Sequence, residues 1–111
     1  MKVRQRIIDV HAHVIPGVDD GSRTMEESVE MLKRAADQGI VGVIATPHYS
    51  RRHVLKGLND SAKLLQQEIR KTYPKFRIFP GQETFYHDEL AQRLNEGKAY
   101  TMADSQYVLV E

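Results

Sequence analysis

Residues able to bind a metal ion recur along the chain, at His11-Ala12-His13, at His48 after Thr46-Pro47, at Glu83 after Pro80-Gly81-Gln82, and at Glu111 after Tyr107-Val108-Leu109-Val110. Imidazole mixed with carboxylate suits Mn, Fe or Zn. The sequence has no cysteine, so thiolate metal sites and disulfides are excluded and any metal must be held by His, Asp and Glu. Carboxylates can bridge neighbouring ions. Such centres generate hydroxide from bound water near neutral pH and stabilise charge on a phosphoryl or carbonyl oxygen, which is the chemistry of hydrolysis.

Taken singly, each motif has a plain structural reading. Side chains two apart on a strand share a face, so His11 and His13 can reach one ion, yet two solvated loop histidines fit as well. Asp19-Asp20-Gly21 is ordinary turn composition. His48 could be a polar residue leaving a strand, and Glu83 and Glu111 could be solvated charges. Their joint occurrence at four successive strand ends favours a metal site. His53 and His87 lie away from any strand end and read as surface residues. Arg51 and Arg52 read as a solvated pair, but they are at the correct edge to meet an anionic substrate.

Four apolar runs must position these groups. The first strand is Ile7-Ile8-Asp9-Val10, followed by a Gly, Pro and Asp-rich loop over residues 16–22. Thr24-Met25-Glu26-Glu27 matches a capping box, and Met25, Val29, Leu32 and Ala36 form one helical face. Gly39 stands where a left-handed C-terminal cap is wanted. The second strand spans residues 41–46 and is closed by Pro47. A second helix is predicted over about residues 59–72, burying Ala62, Leu65 and Ile69 and stopped by Pro74. The third strand covers residues 76–79. A short helix over about residues 88–95 turns Leu90 and Leu94 inward and ends before Gly97. The fourth strand is 107–110. Strand and helix alternating at roughly 30-residue intervals is the pattern of βαβ units in a parallel sheet. The strands lack clean alternation, as expected where both faces are covered. In such sheets the C-terminal strand ends share one edge, where ligands bind.

The 111 residues suffice for one small domain, and 41% of them are apolar, enough to bury a core. Sixteen Lys and Arg against fifteen Asp and Glu give no reason to expect nucleic acid or an anionic membrane as partner. The basic start of the chain is followed by only Ile7 and Ile8 before Asp9, which is too short for a secretory signal, and no run approaches a membrane span. The expected compartment is the cytoplasm.

Ile8-Asp9-Val10-His11-Ala12-His13, Gly17-Val18-Asp19-Asp20-Gly21, Ala45-Thr46-Pro47-His48, Pro80-Gly81-Gln82-Glu83 and Tyr107-Val108-Leu109-Val110-Glu111 together resemble the PHP (polymerase and histidinol phosphatase) superfamily. The likeness is greatest to its bacterial tyrosine-protein phosphatases of the CpsB/YwqE type, and it runs in order through essentially the whole chain. The resemblance implies a distorted TIM-like α/β barrel holding three metal ions, usually manganese. Carried over by position, His11, His13 and Glu83 would help bind the first ion, Glu83 and Glu111 the second, and Asp20 and His48 the third. A metal-bridging hydroxide would attack the phosphorus of phosphotyrosine. The implied substrate is the tyrosine-rich tail of an autokinase controlling capsule or exopolysaccharide synthesis. A small-molecule phosphoesterase of the same superfamily, such as a histidinol phosphatase, is the alternative. Members of the family are roughly twice as long and carry further ligands downstream of Glu111. The chain is therefore expected to be the N-terminal part of one PHP domain, about half of the barrel, and as an isolated piece catalytically inert. The apolar edge of its fourth strand invites a homo-oligomer.

Overall fold

A computed structural model describes residues 6–49, 57–99 and 101–111 of the chain. The elements follow as β1 (Ile7–Ala12), α1 (Met25–Asp37), β2 (Ile40–Ala45), β3 (His48–Tyr49), α2 (Leu58–Arg70), β4 (Arg77–Pro80), β5 (Glu83–Thr84), α3 (Leu90–Asn95), a 3₁₀ turn at Met102–Asp104, and β6 (Leu109–Val110). All described strand pairs are parallel, in the orders β1-β2-β4 and β3-β5-β6. This is the α/β arrangement the alternating pattern predicts.

Local chemistry explains where the helices begin and end. Thr24 caps α1, its Oγ1 accepting the Glu27 amide at 3.1 Å. Such a cap contributes about 1 kcal/mol by satisfying an orphan donor. At the other end Gly39 adopts φ +101°, and its amide donates to the Ala36 carbonyl at 3.0 Å. The chain thereby leaves α1 and enters β2 without a loop. Helix α2 starts at Leu58, and its Tyr73 amide donates to the Ile69 carbonyl at 2.9 Å just before Pro74 stops any extension. Helix α3 starts at Leu90, two residues later than expected.

The predicted stripe of α2 is buried throughout, whereas on α1 Leu32 is buried and Met25, Val29 and Ala36 are partly buried against the same core. Leu32 on α1 and Ala62, Leu65 and Ile69 on α2 are each at most 4% exposed, and they close on Val43, Ala45, Phe76 and Ile78 from the sheet. Burial of each Leu, Ile, Val or Phe among them is worth about 1.5–3 kcal/mol, so this layer holds the helices against the strands. Two polar links fix α2 to β4 and to the residue just before it: the Gln66 Oε1 accepts the Ile78 amide at 2.8 Å, and the Arg70 Nε donates to the Phe76 carbonyl at 2.8 Å.

Two features depart from the sequence pattern. Each of the expected second and third strands is followed by a further short one: β2 stops at Ala45 and pairing resumes after Thr46-Pro47 as β3, while β4 stops at Pro80 and pairing resumes after Gly81-Gln82 as β5. Pro47 has no amide to donate to a ladder, so the pairing lapses there and re-forms from His48. Cover on both faces also fails at β1. Ile8 and Val10 are 50% and 55% exposed, because among the described residues β1 stands at the edge of its sheet and the helices pack on β2 and β4.

Candidate metal centre

These short strands build the site. In the second parallel ladder His48 pairs with Glu83, and Glu83 with Leu109. The Glu83 amide donates to the Pro47 carbonyl at 3.0 Å, and the Glu111 amide to the Thr84 carbonyl at 2.8 Å. His48 and Glu83 were expected just past strand ends. They lie instead within short strands, which fixes their backbones in register with each other and brings Glu111 alongside.

The loop after β1 supplies the acidic side. Its turn is closed by the Gly17 amide on the Ser22 carbonyl at 2.9 Å and the Ser22 amide on the His13 carbonyl at 3.2 Å. Buried Ser28 on α1 donates to the Val14 carbonyl at 2.6 Å and also contacts the Ser22 hydroxyl, so the loop is pinned to the helix. Gly21 packs so tightly on His13 that a Cβ there would stand 2.6 Å from the His13 Cβ and against its carbonyl. The fold back is what carries Asp19 and Asp20 over the histidines.

Three imidazoles and four carboxylates then form three overlapping groups that could each hold an ion: His13 with Asp19, Asp20 and His48; His11 with His13 and Glu83; and His48 with Glu83 and Glu111. The His11 and His13 Nε2 atoms are 3.2 Å apart, and His11 Nε2 also meets Glu83 Oε2. His48 Nε2 is 3.3 Å from Asp20 Oδ1, and its Nδ1 lies 3.1 Å from Glu83 Oε1 and 3.8 Å from Glu111 Oε2. The Glu83 side chain is 9% exposed, whereas that of Asp20 is 83% exposed.

These atoms fit metal ligation on three counts. Two imidazole Nε2 atoms facing each other cannot both carry a proton, and one cation between them satisfies both lone pairs. Donors about 2.0–2.1 Å from one ion stand about 3 Å apart at neighbouring coordination positions, matching the 3.1–3.3 Å contacts seen here. Finally, His48 Nδ1 is buried and makes no hydrogen bond among the described residues, which leaves its lone pair available to an ion.

Every expected ligand among His11, His13, Asp20, His48, Glu83 and Glu111 falls in this cluster. Asp19 was not singled out by the sequence reading. Its Oδ2 accepts from His13 Nδ1 at 2.9 Å and from the His48 amide at 3.1 Å, and its Oδ1 accepts from the Gly21 amide at 2.9 Å. Burial alone would raise its pKa, but the His13 bond, the two amides and the charge of His13 together hold the carboxyl below its usual value. The signal available in sequence was a carboxylate six residues from a candidate ligand, indistinguishable there from turn composition. Arg51, Arg52 and His53 lie outside the described residues. His87 belongs to none of the three groups; rather than standing at the surface it is half-buried, with both ring nitrogens shielded. The loop turns back there, the Leu90 amide donating to the His87 carbonyl at 3.1 Å.

The chain is similar in sequence to known proteins. The chain is 32% identical over 108 residues to tyrosine-protein phosphatase YwqE of Bacillus subtilis, covering 95% of the chain and 42% of that protein. It is 30% identical over 113 residues to tyrosine-protein phosphatase CpsB of Streptococcus pneumoniae, and 26% identical over 109 residues to CpsB of Streptococcus agalactiae, in each case covering 95% of the chain and 44% of the relative. A solved structure from work on YwqE and the pneumococcal CpsB, described as unique metal-dependent tyrosine phosphatases, superposes with a TM-score of 0.85 at 32% identity. It covers 94% of this chain and 43% of that one. The chain thus spans less than half the length of these relatives. Residues 7–111 match the family described as capsular polysaccharide synthesis, CpsB/CapC, and the chain belongs to that family.

Proposed function

We propose that residues 1–111 are the N-terminal part of a single PHP-type domain, a distorted TIM-like barrel, that hydrolyses phosphotyrosine in proteins. One observation carries the reading: His13, His48 and Glu83 are each shared between two ligand groups at a parallel-sheet edge, in a chain whose relatives are named tyrosine-protein phosphatases. His11, His13 and Glu83 hold one ion, Glu83 and Glu111 a second, and Asp20 and His48 a third, with manganese the proposed metal. When bound, such ions lower the pKa of a water toward neutrality and neutralise charge on a phosphoryl oxygen. The chain's own part is to hold the ligands. Glu83, nearly buried, presents one oxygen toward His11 and the other toward His48, and the open side of the site is the one on which Asp20 is exposed. Arg51 and Arg52, a few residues beyond His48, are proposed to meet the phosphate. The substrate is proposed to be the tyrosine-rich tail of an autokinase of capsule or exopolysaccharide synthesis, reached in the cytoplasm.

The test is Mn²⁺-dependent phosphate release from a phosphotyrosyl peptide, using a polypeptide that continues this chain to the length of its relatives. Substituting His11→Ala or Glu83→Ala should abolish turnover, and unchanged rates would overturn the reading. Faster hydrolysis of histidinol phosphate than of the peptide would assign the domain to a small-molecule phosphoesterase instead. For the 111 residues alone a second reading holds, metal binding without turnover. The side chains of His11, Asp20 and Glu111 are 46%, 83% and 51% exposed, leaving the site open on one side.

A further inference from the structure

We infer that Asp19 is a positioning residue: it locks His13 in the Nδ1–H tautomer, so that Nε2 stays free for an ion, and it ties the His48 backbone to the same carboxylate. The inference rests on the metal-centre part of the proposed function and is independent of the substrate.

The side chain of Asp19 is 4% exposed, and it is a pure acceptor held between three donors. A carboxylate that accepts from His13 Nδ1 forces the imidazole hydrogen onto that nitrogen, and a neutral ring then carries its lone pair on Nε2. That lone pair points toward His11 Nε2, 3.2 Å away, and Glu83 Oε2, 3.9 Å away. Hydrogen bonds from the ring nitrogen opposite the metal fix both orientation and basicity of histidine ligands. The His48 amide on the same Oδ2 couples a second ligand strand to this anchor, so one side chain sets the spacing between two ligand groups. Both Asp19 oxygens are already engaged by N–H groups. Its exposed neighbour Asp20, 3.3 Å from His48 Nε2, is the carboxylate left to bind an ion.

The experiment is a ¹H–¹⁵N imidazole correlation spectrum of the metal-free chain at mildly alkaline pH, with His13→Ala to assign the ring, followed by calorimetric Zn²⁺ titration. Wild type should show His13 as Nδ1–H. Asp19→Ala should populate the Nε2–H form and weaken Zn²⁺ binding about 10- to 100-fold with the number of ions bound unchanged. Asp20→Ala should leave the His13 tautomer as in wild type. An Nε2–H ring in the wild-type chain overturns the inference without any variant needing to fold. Loss of one whole ion from the stoichiometry of Asp19→Ala also overturns it, because Asp19 would then be a ligand. Wild type that binds no Zn²⁺ sinks the metal centre itself, while the tautomer still decides the role of Asp19.

Discussion

Ala12 and Thr46 join the first two strands by a reciprocal pair of bonds. The Thr46 amide donates to the Ala12 carbonyl at 2.8 Å, and the Ala12 amide donates to Thr46 Oγ1 at 3.0 Å. Ala12 lies between His11 and His13, and Thr46 lies two residues before His48, so this clamp sets how far apart the first two ligand strands stand. Thr46 is fully buried. Replacing it with Val keeps the shape but leaves the Ala12 amide without an acceptor. Thr46→Val is expected to lose about 1–3 kcal/mol in urea unfolding of the chelator-treated chain. An unchanged midpoint would show that the clamp contributes nothing.

Metal should stabilise the fold, because the ligand groups are assembled only in the folded chain. At a free concentration of one hundred times Kd, one ion adds about 2.7 kcal/mol, or roughly 10 °C in Tm for a domain this small. Thermal unfolding with Mn²⁺ or Zn²⁺, and again after excess chelator, reads the shift. His11→Ala and Glu83→Ala should abolish most of it.

Leu65 tests the layer beneath the site. It is fully buried between α2 and the sheet, far along the chain from every proposed ligand. Leu65→Ala should cost about 2–5 kcal/mol through lost burial and the cavity left behind. At a temperature where the variant remains folded, Zn²⁺ affinity should match wild type. A large loss of affinity would mean that the core and the site are one mechanical unit.

Tyr73 gives the pH test. Its hydroxyl donates to Asp37 at the end of α1, and that bond, helped by partial burial and the carboxylate charge, raises the phenol above its usual pKa. The folded state therefore favours the protonated phenol. Its contribution is fully present below pH of about 10 and is lost as pH rises through the elevated folded value. The absorbance titration of wild type minus that of Tyr73→Phe should isolate one phenol titrating above 10. A difference curve centred at or below 10 would remove the Asp37 bond as its cause.

Particular residues show what was legible in the sequence. The stripe Ala62, Leu65 and Ile69 was readable because helical period and burial coincide, and all three are buried. Five of the six candidate ligands were readable because parallel strands deliver their C-terminal ends to one edge whatever the loops do, whereas Asp20, in the loop after β1, was readable only through the family resemblance. The end of the second strand at Pro47 was readable as well, but the return of pairing at His48 and at Glu83 was not, since a ladder that resumes two residues later depends on its neighbours rather than on local propensity. Asp19 was hidden for a related reason. Its role comes from bonds to His13 and to the backbone of His48, a residue 29 positions away, and a turn aspartate carries no mark of such partners.

Gly21 makes that hidden geometry testable. Its Cα sits where any side chain would press on the His13 carbonyl and stand 2.6 Å from the His13 Cβ, a backbone oxygen and a side-chain atom bonded directly to the backbone, neither of which can swing aside by a rotamer change. The Gly21 amide also donates to Asp19, and the next amide, Ser22, donates to the His13 carbonyl. Adding one methyl group should push the loop off β1, carrying Asp19 away from His13 and Asp20 away from His48. The expected cost in stability is about 1–3 kcal/mol, typical of overpacking. The more telling result is the ratio of effects. Gly21→Ala should weaken Zn²⁺ binding at least as strongly as Asp20→Ala does, although it removes no donor atom. It should also shift the His13 imidazole resonances of the metal-free chain. Binding and resonances both unchanged would show that the loop tolerates displacement and that the centre is held by the strands alone.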